Sequence, residues 1–264
     1  MRELLYAMPA PLIALLLLAA LAGITGAGLA LGRRRAGGRS EAFRAHVATA
    51  QGSLLGLLAL LMGFTFSMSL QRYDARAQAL VEEANAIGTT WLRAALLPEP
   101  AAAASKALLR DYTHLRVEAG TVSLDRATDR AALNARAAAL QDQLWQQARH
   151  AVELDKSPAT SGLYIQALNG MIDAFGARDA LLSRHVPEMV LILLFGTILI
   201  VGGVTGYTCG LNGHRPSLVA HLFGLLIVVV ALIIIDVDRP RRGFITVDQT
   251  PMQSLKAGID ASLK

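Results

Sequence analysis

The chain has 264 residues and a formal net charge of +5, with 53% hydrophobic and only 17% charged residues. Soluble domains carry about a quarter charged residues, so this composition excludes a soluble enzyme. The positive excess gathers beside apolar segments, while the polar region from Arg72 to Glu188 holds 13 Lys/Arg against 14 Asp/Glu, which also excludes a nucleic-acid-binding groove.

No Asp, Glu, Lys or Arg occurs between Glu3 and Arg33, Arg44 and Arg72, Glu188 and Arg215, or Arg215 and Asp236. A helix needs about 20 apolar residues to cross roughly 30 Å of hydrocarbon, and each of these gaps is long enough. Spans are predicted at about 10–31, 47–69, 189–210 and 218–235. The first reads as a retained span, not a cleaved signal peptide: its uncharged run is about twice the usual h-region and ends on Arg33-Arg34-Arg35. Tyr6 and Tyr73 flank the first two spans, where amphipathic rings favour the interface.

Small residues mark the second and third spans. Gly52, Gly56, Ala59, Gly63 and Ser67 step by four and three, and Gly202, Gly206 and Gly210 step by four. Lipid tails give no hydrophobic drive for helix association, so close approach through small residues substitutes for it. Packing within one chain is the plainer reading of the stripe on the second span. The other is that it faces symmetry mates around an axis. No charged residue lies near mid-membrane, which argues against a pump or coupled carrier and leaves a passive pore. Phe64-Thr65-Phe66-Ser67-Met68-Ser69 supplies hydroxyls and aromatic constriction types near one end of the second span.

The insert from Gln71 to Glu188 reads as helical throughout. Leu80, Ala84, Ile87, Trp91 and Ala95 step by three or four, as do Leu108, Tyr112, Leu115 and Ala119. Leu133, Ala137, Leu140, Leu144 and Ala148 repeat the rule, then Ile165, Leu168, Ile172 and Phe175. Pro98-Glu99-Pro100 breaks the pattern, Gly120 reads as a C-terminal cap, and 155–162 as a turn. Four helices packed as a bundle are expected. Nothing interrupts the helix between Ser69 and Leu80, so the second span is expected to run on into the first helix of the insert. Pro187 marks entry to the third span. In the tail, Met252, Leu255, Ile259 and Leu263 form an amphipathic strip fit to dock on the bundle or on the membrane surface.

The fold class is therefore all-α and polytopic. Transmembrane helices 1 and 2 with an arginine-rich loop occupy 1–70, an extramembrane helical bundle 71–188, transmembrane helices 3 and 4 189–236, and an extramembrane tail 237–264. Six arginines at one end against eight at the other leave the orientation open. Cys209 is the single cysteine, and His46, His114, His150, His185, His214 and His221 show no ligand spacing. No catalytic residue, metal site or cofactor is expected.

Two long stretches carry a resemblance. Gly63-Phe64-Thr65-Phe66-Ser67-Met68 and Arg72-Tyr73-Asp74-Ala75-Arg76 run into Val81-Glu82-Glu83-Ala84-Asn85-Ala86-Ile87-Gly88-Thr89, followed by Leu92-Arg93 and Leu96-Leu97-Pro98-Glu99-Pro100. At the far end, Asp236-Val237-Asp238-Arg239-Pro240-Arg241-Arg242-Gly243-Phe244-Ile245 precedes Val247 and Gln249. These resemble the bacterial bestrophin-like domain family of four-span membrane proteins, from the second span to the tail. True bestrophins are pentameric, calcium-regulated anion channels whose second helix lines a pore with an aromatic neck. The resemblance implies a channel that forms between copies, multi-pass in the inner (plasma) membrane. It does not extend to an acidic calcium clasp.

On that footing Gly63, Phe64, Phe66 and Ser67 are the candidates for pore lining or constriction. Glu82, Glu83 and Asn85 are candidates for a vestibule, with pairing to Arg76, Arg93 or other bundle helices as the alternative. Asp236, Asp238, Arg239, Arg241 and Arg242 form a charge cluster at the exit of the last span, read as an ion-pair network, a lipid-phosphate contact or a pore mouth. The expected partners are further copies of the chain, membrane lipids and inorganic ions, with no nucleic acid. One protomer has too few spans to enclose a water path, so the leading function is an oligomeric ion channel. The other reading is a non-conducting membrane scaffold or sensor whose insert binds a protein.

Overall fold

A computed structural model describes residues 8–37, 40–122, 127–239 and 244–263. Among them the chain forms eight α-helices: α1 Ala10–Arg35, α2 Glu41–Ala94, α3 Ala101–Thr121, α4 Ala127–Leu154, α5 Leu163–Leu182, α6 Glu188–Leu211, α7 Leu218–Asp238 and α8 Thr250–Ser262. No strand occurs among the described residues. Four of the helices, α1, α2, α6 and α7, are long and apolar enough to cross a membrane. The helices divide between two compact units, Met1–Gln71 with His185–Arg239 and Arg72–Arg184 with Pro240–Lys264. Helix α2 is unbroken over 54 residues, as the missing breaker between Ser69 and Leu80 predicts.

The first unit contains α1, the first part of α2, α6 and α7. Prolines start two of these helices, with Pro9 capping α1 and Pro187 capping α6. Proline loses nothing there, because the first N–H groups of a helix have no intrahelical partner. Arg33, Arg34 and Arg35 close the last turn of α1, where cations suit the helix dipole. The core is aliphatic, centred on Leu17, Leu58, Leu194, Ile198, Val228 and Ile234. Many apolar side chains, Leu15 and Val219 among them, point outward instead, as lipid contact requires.

Glycine decides the closest helix pair. A methyl group added at Gly28 would strike the Gly203 carbonyl, and one at Gly32 the Tyr207 carbonyl. Gly206 and Gly210 face the carbonyls of Thr25 and Leu29 in the same way. The third-span stripe is thus consumed by packing between α1 and α6, backbone against backbone.

The second unit contains the rest of α2, α3, α4, a π-helical turn Pro158–Gly162, α5 and α8. Its core holds the residues that the helical spacing marks: Ile87, Tyr112, Leu115, Ala137, Leu144, Ala148 and Leu168 are buried, and Trp91, Leu108, Leu140, Ile172 and Phe175 pack against them. Two details depart from expectation. Ala95 is exposed, because α2 ends at Ala94 and the register stops with it. Gly120 is not the cap of α3, which runs one residue further to Thr121; a Cβ there would stand 2.7 Å from Gln249 Oε1, so the glycine makes room for the tail.

The expected turn at 155–162 folds its second half into the π-helical turn. Ser157 Oγ accepts from the Ala159 N–H, and Asp155 accepts from Thr160 Oγ1 at 2.5 Å and from the Ser157 N–H at 2.9 Å. Those two hydrogen bonds hold the Asp155 carboxyl below the usual carboxylate range. The tail strip docks on the bundle. Met252 and Ile259 are buried in its core with Leu255 against them, and Leu263 lies past the helix end and is exposed. His114 and Asp260, 2.8 Å apart, tie α8 to α3.

Candidate functional site

The pore candidates all lie on α2, and the helix spreads them over different faces. Gly63 and Ser67 are exposed on one stripe with Gly52, Gly56 and Ala59. A methyl group at Gly52, Gly56 or Gly63 would meet nothing within 4 Å. Among the described residues no other helix packs on these glycines, which contradicts the plainer reading of the stripe. The α6 stripe is as smooth in sequence and is fully used.

Successive residues turn by about 100°, which puts Phe66 about 60° from Gly63 and Phe64 about 100° from it on the other side. Phe66 borders the glycine face, and Phe64 points well away from it. Both are exposed, at 38% and 63%. Thr65 between them turns inward, buried, its Oγ1 donating to the Leu61 carbonyl at 2.7 Å.

Continuing the same step past Ser67 reaches Leu70, Asp74, Gln78, Val81 and Asn85, and each is exposed. Asp74 is the first carboxylate on that register. It is absent from the sequence-based candidates, although carrying the four-three step beyond the span would have found it. Asn85 keeps the register as well. Glu82 sits about 100° off it, exposed, accepting from Gln78 Nε2 at 2.8 Å.

Glu83 is no vestibule residue. It is fully buried in the second unit, accepting from Arg116 Nε at 2.6 Å, Arg116 Nη2 at 3.3 Å and Arg178 Nη1 at 2.5 Å. Adjacent helix positions diverge, so Glu82 faces solvent and Glu83 the core. The pairing alternative holds through other bundle helices, α3 and α5, and not through Arg76 or Arg93: Arg76 donates to the carbonyls of Leu181 and Arg184, and Arg93 to the carbonyl of Leu163. Burial opposes the charge on Arg116, yet the Glu83 carboxylate beside it keeps the guanidinium above its ordinary value. Its guanidinium carbon also lies 4.7 Å from the centre of the Phe175 ring. Arg178 reaches on to Gln249 Oε1 at 3.2 Å, linking the triad to the segment before α8. Burial first, then the nearby Glu83 charge, pushes the Tyr112 phenol above its ordinary value, while Gln141 donates to its oxygen at 3.1 Å.

The described part of the exit cluster of the last span is internal. Asp236, Asp238 and Arg239 are all buried, which takes them out of reach of lipid phosphate. Asp238 Oδ2 accepts from the Val186 N–H at 2.8 Å and lies 3.8 Å from His185 Nδ1, so the carboxylate braces the entry to α6. Arg241, Arg242 and Pro240 lie outside the described residues, as do Tyr6 and Arg39. Among the described residues, no three of His, Cys, Asp and Glu converge as metal ligands would.

A family model described as a bestrophin-like domain matches residues 12–252. No curated protein matches the chain. Among solved structures, a bacterial bestrophin homologue from Klebsiella pneumoniae, phased with zinc, is similar at a TM-score of 0.60 and 16% identity, covering 95% of each chain. A variant of that homologue with a tyrosine-to-alanine replacement gives 0.62 and 15%, covering 94% of this chain and 96% of the other. A structure described as a membrane protein, with a leucine-to-alanine replacement, gives 0.65 and 14%, covering 94% and 95%.

Proposed function

The chain belongs to the bestrophin-like domain family, and from that premise we propose that it is an oligomeric ion channel of the bacterial inner membrane. The pore forms between copies and is lined by the membrane part of α2. One observation carries the reading: the stripe Gly52, Gly56, Ala59, Gly63 and Ser67 is exposed along its whole length, with nothing near its glycines. Small residues admit close backbone approach, and closed rings are the usual way for copies to use such a face. With that stripe turned to a common axis, Phe66 rings the path at its border and supplies the hydrophobic constriction. Phe64 points away from the axis and packs against a neighbour or lipid.

Asp74 adds a ring of carboxylates on the same register. Such a ring concentrates cations at the entrance, with Asn85 further along as a neutral polar group. Glu83 takes no part, since its charge is spent on Arg116 and Arg178.

Flux through reconstituted vesicles tests this. Phe66→Ala is expected to raise ion leak over the unmodified protein, and Asp74→Asn to lower the ratio of cation to anion permeability. Unchanged flux in Phe66→Ala, together with capture of one stoichiometric protein on the insert, establishes the scaffold function in place of the channel.

A further inference from the structure

The first unit holds a cavity of about 650 Å³ between α1, α2, α6 and α7. That lies within the range of about 300–1,000 Å³ typical of sites for small apolar ligands. Its wall is aliphatic and aromatic for most of its length, with Leu18, Ala22, Leu55, Ile198 and Phe223 among the lining residues. Leu18, Ala22 and Phe223 are exposed, so the cavity opens sideways, at span depth, where lipid tails are. Arg215, Ser217 and His221 line the end formed by the α6–α7 loop and the start of α7, while Thr25, Gln51 and Thr205 add polar groups to the wall, Gln51 donating to Thr205 Oγ1 at 3.1 Å.

That end is built for negative charge. Arg215 is exposed in the loop between α6 and α7. Ser217 caps α7 by accepting from the Ala220 N–H at 3.3 Å, and the first turn of the helix presents its positive dipole end to the same corner. His221 Nδ1 lies 2.9 Å from the Ser217 carbonyl; a carbonyl only accepts, so Nδ1 carries the proton and the ring is fixed at the rim. Helix α1 runs parallel to α6 here, since Gly28 meets Gly203 and, further along both helices, Gly32 and Arg33 meet Gly210, and this brings Arg33, Arg34 and Arg35 to the same end of the unit.

We propose that this cavity is a binding site for an anionic phospholipid, one acyl chain lying in the apolar channel and the phosphate on Arg215 at the start of α7. Charge complementarity selects this occupant over a second copy of the chain: an apolar trough with a cationic mouth at interface depth matches a lipid tail and its phosphate in both parts. The apolar part supplies affinity without regard to headgroup, and Arg215 supplies the preference for an anion.

Phe223→Trp places a fluorescent reporter on the cavity wall, read against the parent protein, whose Trp91 and Trp145 belong to the second unit. In phosphatidylcholine vesicles carrying a few mole per cent of chain-brominated phosphatidylglycerol, quenching is expected to saturate. The preference over chain-brominated phosphatidylcholine should be about tenfold, the weight of one charge-assisted hydrogen bond. Arg215→Gln should abolish that preference, while Arg34→Gln, an exposed arginine at the same end outside the cavity lining, should keep it. Gly26→Leu should block quenching by both lipids, because a Cβ at Gly26 meets no atom within 4 Å and the side chain fills the cavity. Native mass spectrometry of the unmodified chain and of Arg215→Gln reads the same occupancy without the reporter, as retained phosphatidylglycerol that the variant loses. Equal, non-saturating quenching by the two lipids overturns the proposal. So does a Gly26→Leu protein that keeps its lipid preference but changes its oligomeric mass, which assigns the cavity to a neighbouring copy.

Discussion

Glu83→Gln is expected to destabilise the second unit by about 3–5 kcal/mol, the usual cost of removing one partner from a buried ion pair. The carboxylate is fully buried and takes hydrogen bonds from two guanidinium groups. Arginine does not deprotonate in proteins, so the amide leaves two buried cations facing each other. The links from Arg178 to Gln249 and from Arg116 to the Phe175 ring loosen with them. Thermal unfolding of the purified protein in detergent should fall by about 10 °C, given about 2–4 °C per kcal/mol for a chain of this size. Glu82→Gln is the control. Its side chain is exposed, and surface charges of that kind contribute about 0–1 kcal/mol. Adding Arg178→Met to Glu83→Gln should recover part of the loss, since it removes one of the stranded charges.

Gly206→Ala is expected to force α1 and α6 apart, whereas Gly63→Ala leaves the single chain unmoved. A Cβ at Gly206 lands on the Thr25 carbonyl oxygen, with the carbon of that carbonyl at 2.8 Å and Leu29 N at 3.0 Å. These are backbone atoms, and no side-chain rotation relieves them. Overpacking a close interface costs about 1–3 kcal/mol, and here it falls on the most intimate helix pair of the unit. Melting of the two variants side by side reads the difference: Gly206→Ala lowers the transition, and Gly63→Ala does not. Equal losses in the two would mean that the α2 stripe is as closely packed as the α6 stripe, and the same pair measured on the dissociated chain tells a contact within the chain from one between copies.

That pair of glycines also marks the limit of what the sequence conveys. Both stripes are smooth, regularly spaced and free of charge, and periodicity alone does not reveal what a smooth face meets. The long features are legible because they depend on composition over twenty residues. Four uncharged gaps become four helices able to span a membrane, and the three-four spacing of Ile87, Tyr112, Leu115, Leu144 and Leu168 becomes the core of the bundle. The short features depend on neighbours from elsewhere in the chain.

Glu82 and Glu83 are equivalent in sequence, and only the arrival of Arg116 and Arg178 separates them. Asp236 and Asp238 look like an exposed charged exit, yet both are buried, and Asp238 accepts the Val186 N–H at the start of the third span. Gly120 resembles a cap because glycine often ends helices, but its φ is not in the left-handed region, and the close contact with Gln249 explains the residue instead. For the tail strip two surfaces were open, and Met252 and Ile259 in the bundle core identify the one it uses. Asp74 is hard to read from sequence because the small residues of the stripe end at Ser67, and only the exposure of Leu70, Asp74 and Gln78 on α2 carries the register beyond it.

The pore between copies stands or falls on stoichiometry. Native mass spectrometry of the purified protein in mild detergent and in nanodiscs is predicted to find a ring of four or five chains, reduced to smaller species by Gly63→Leu, whose side chain has room within one chain but not between copies. A stable monomer or dimer in every detergent and nanodisc would contradict a central pore.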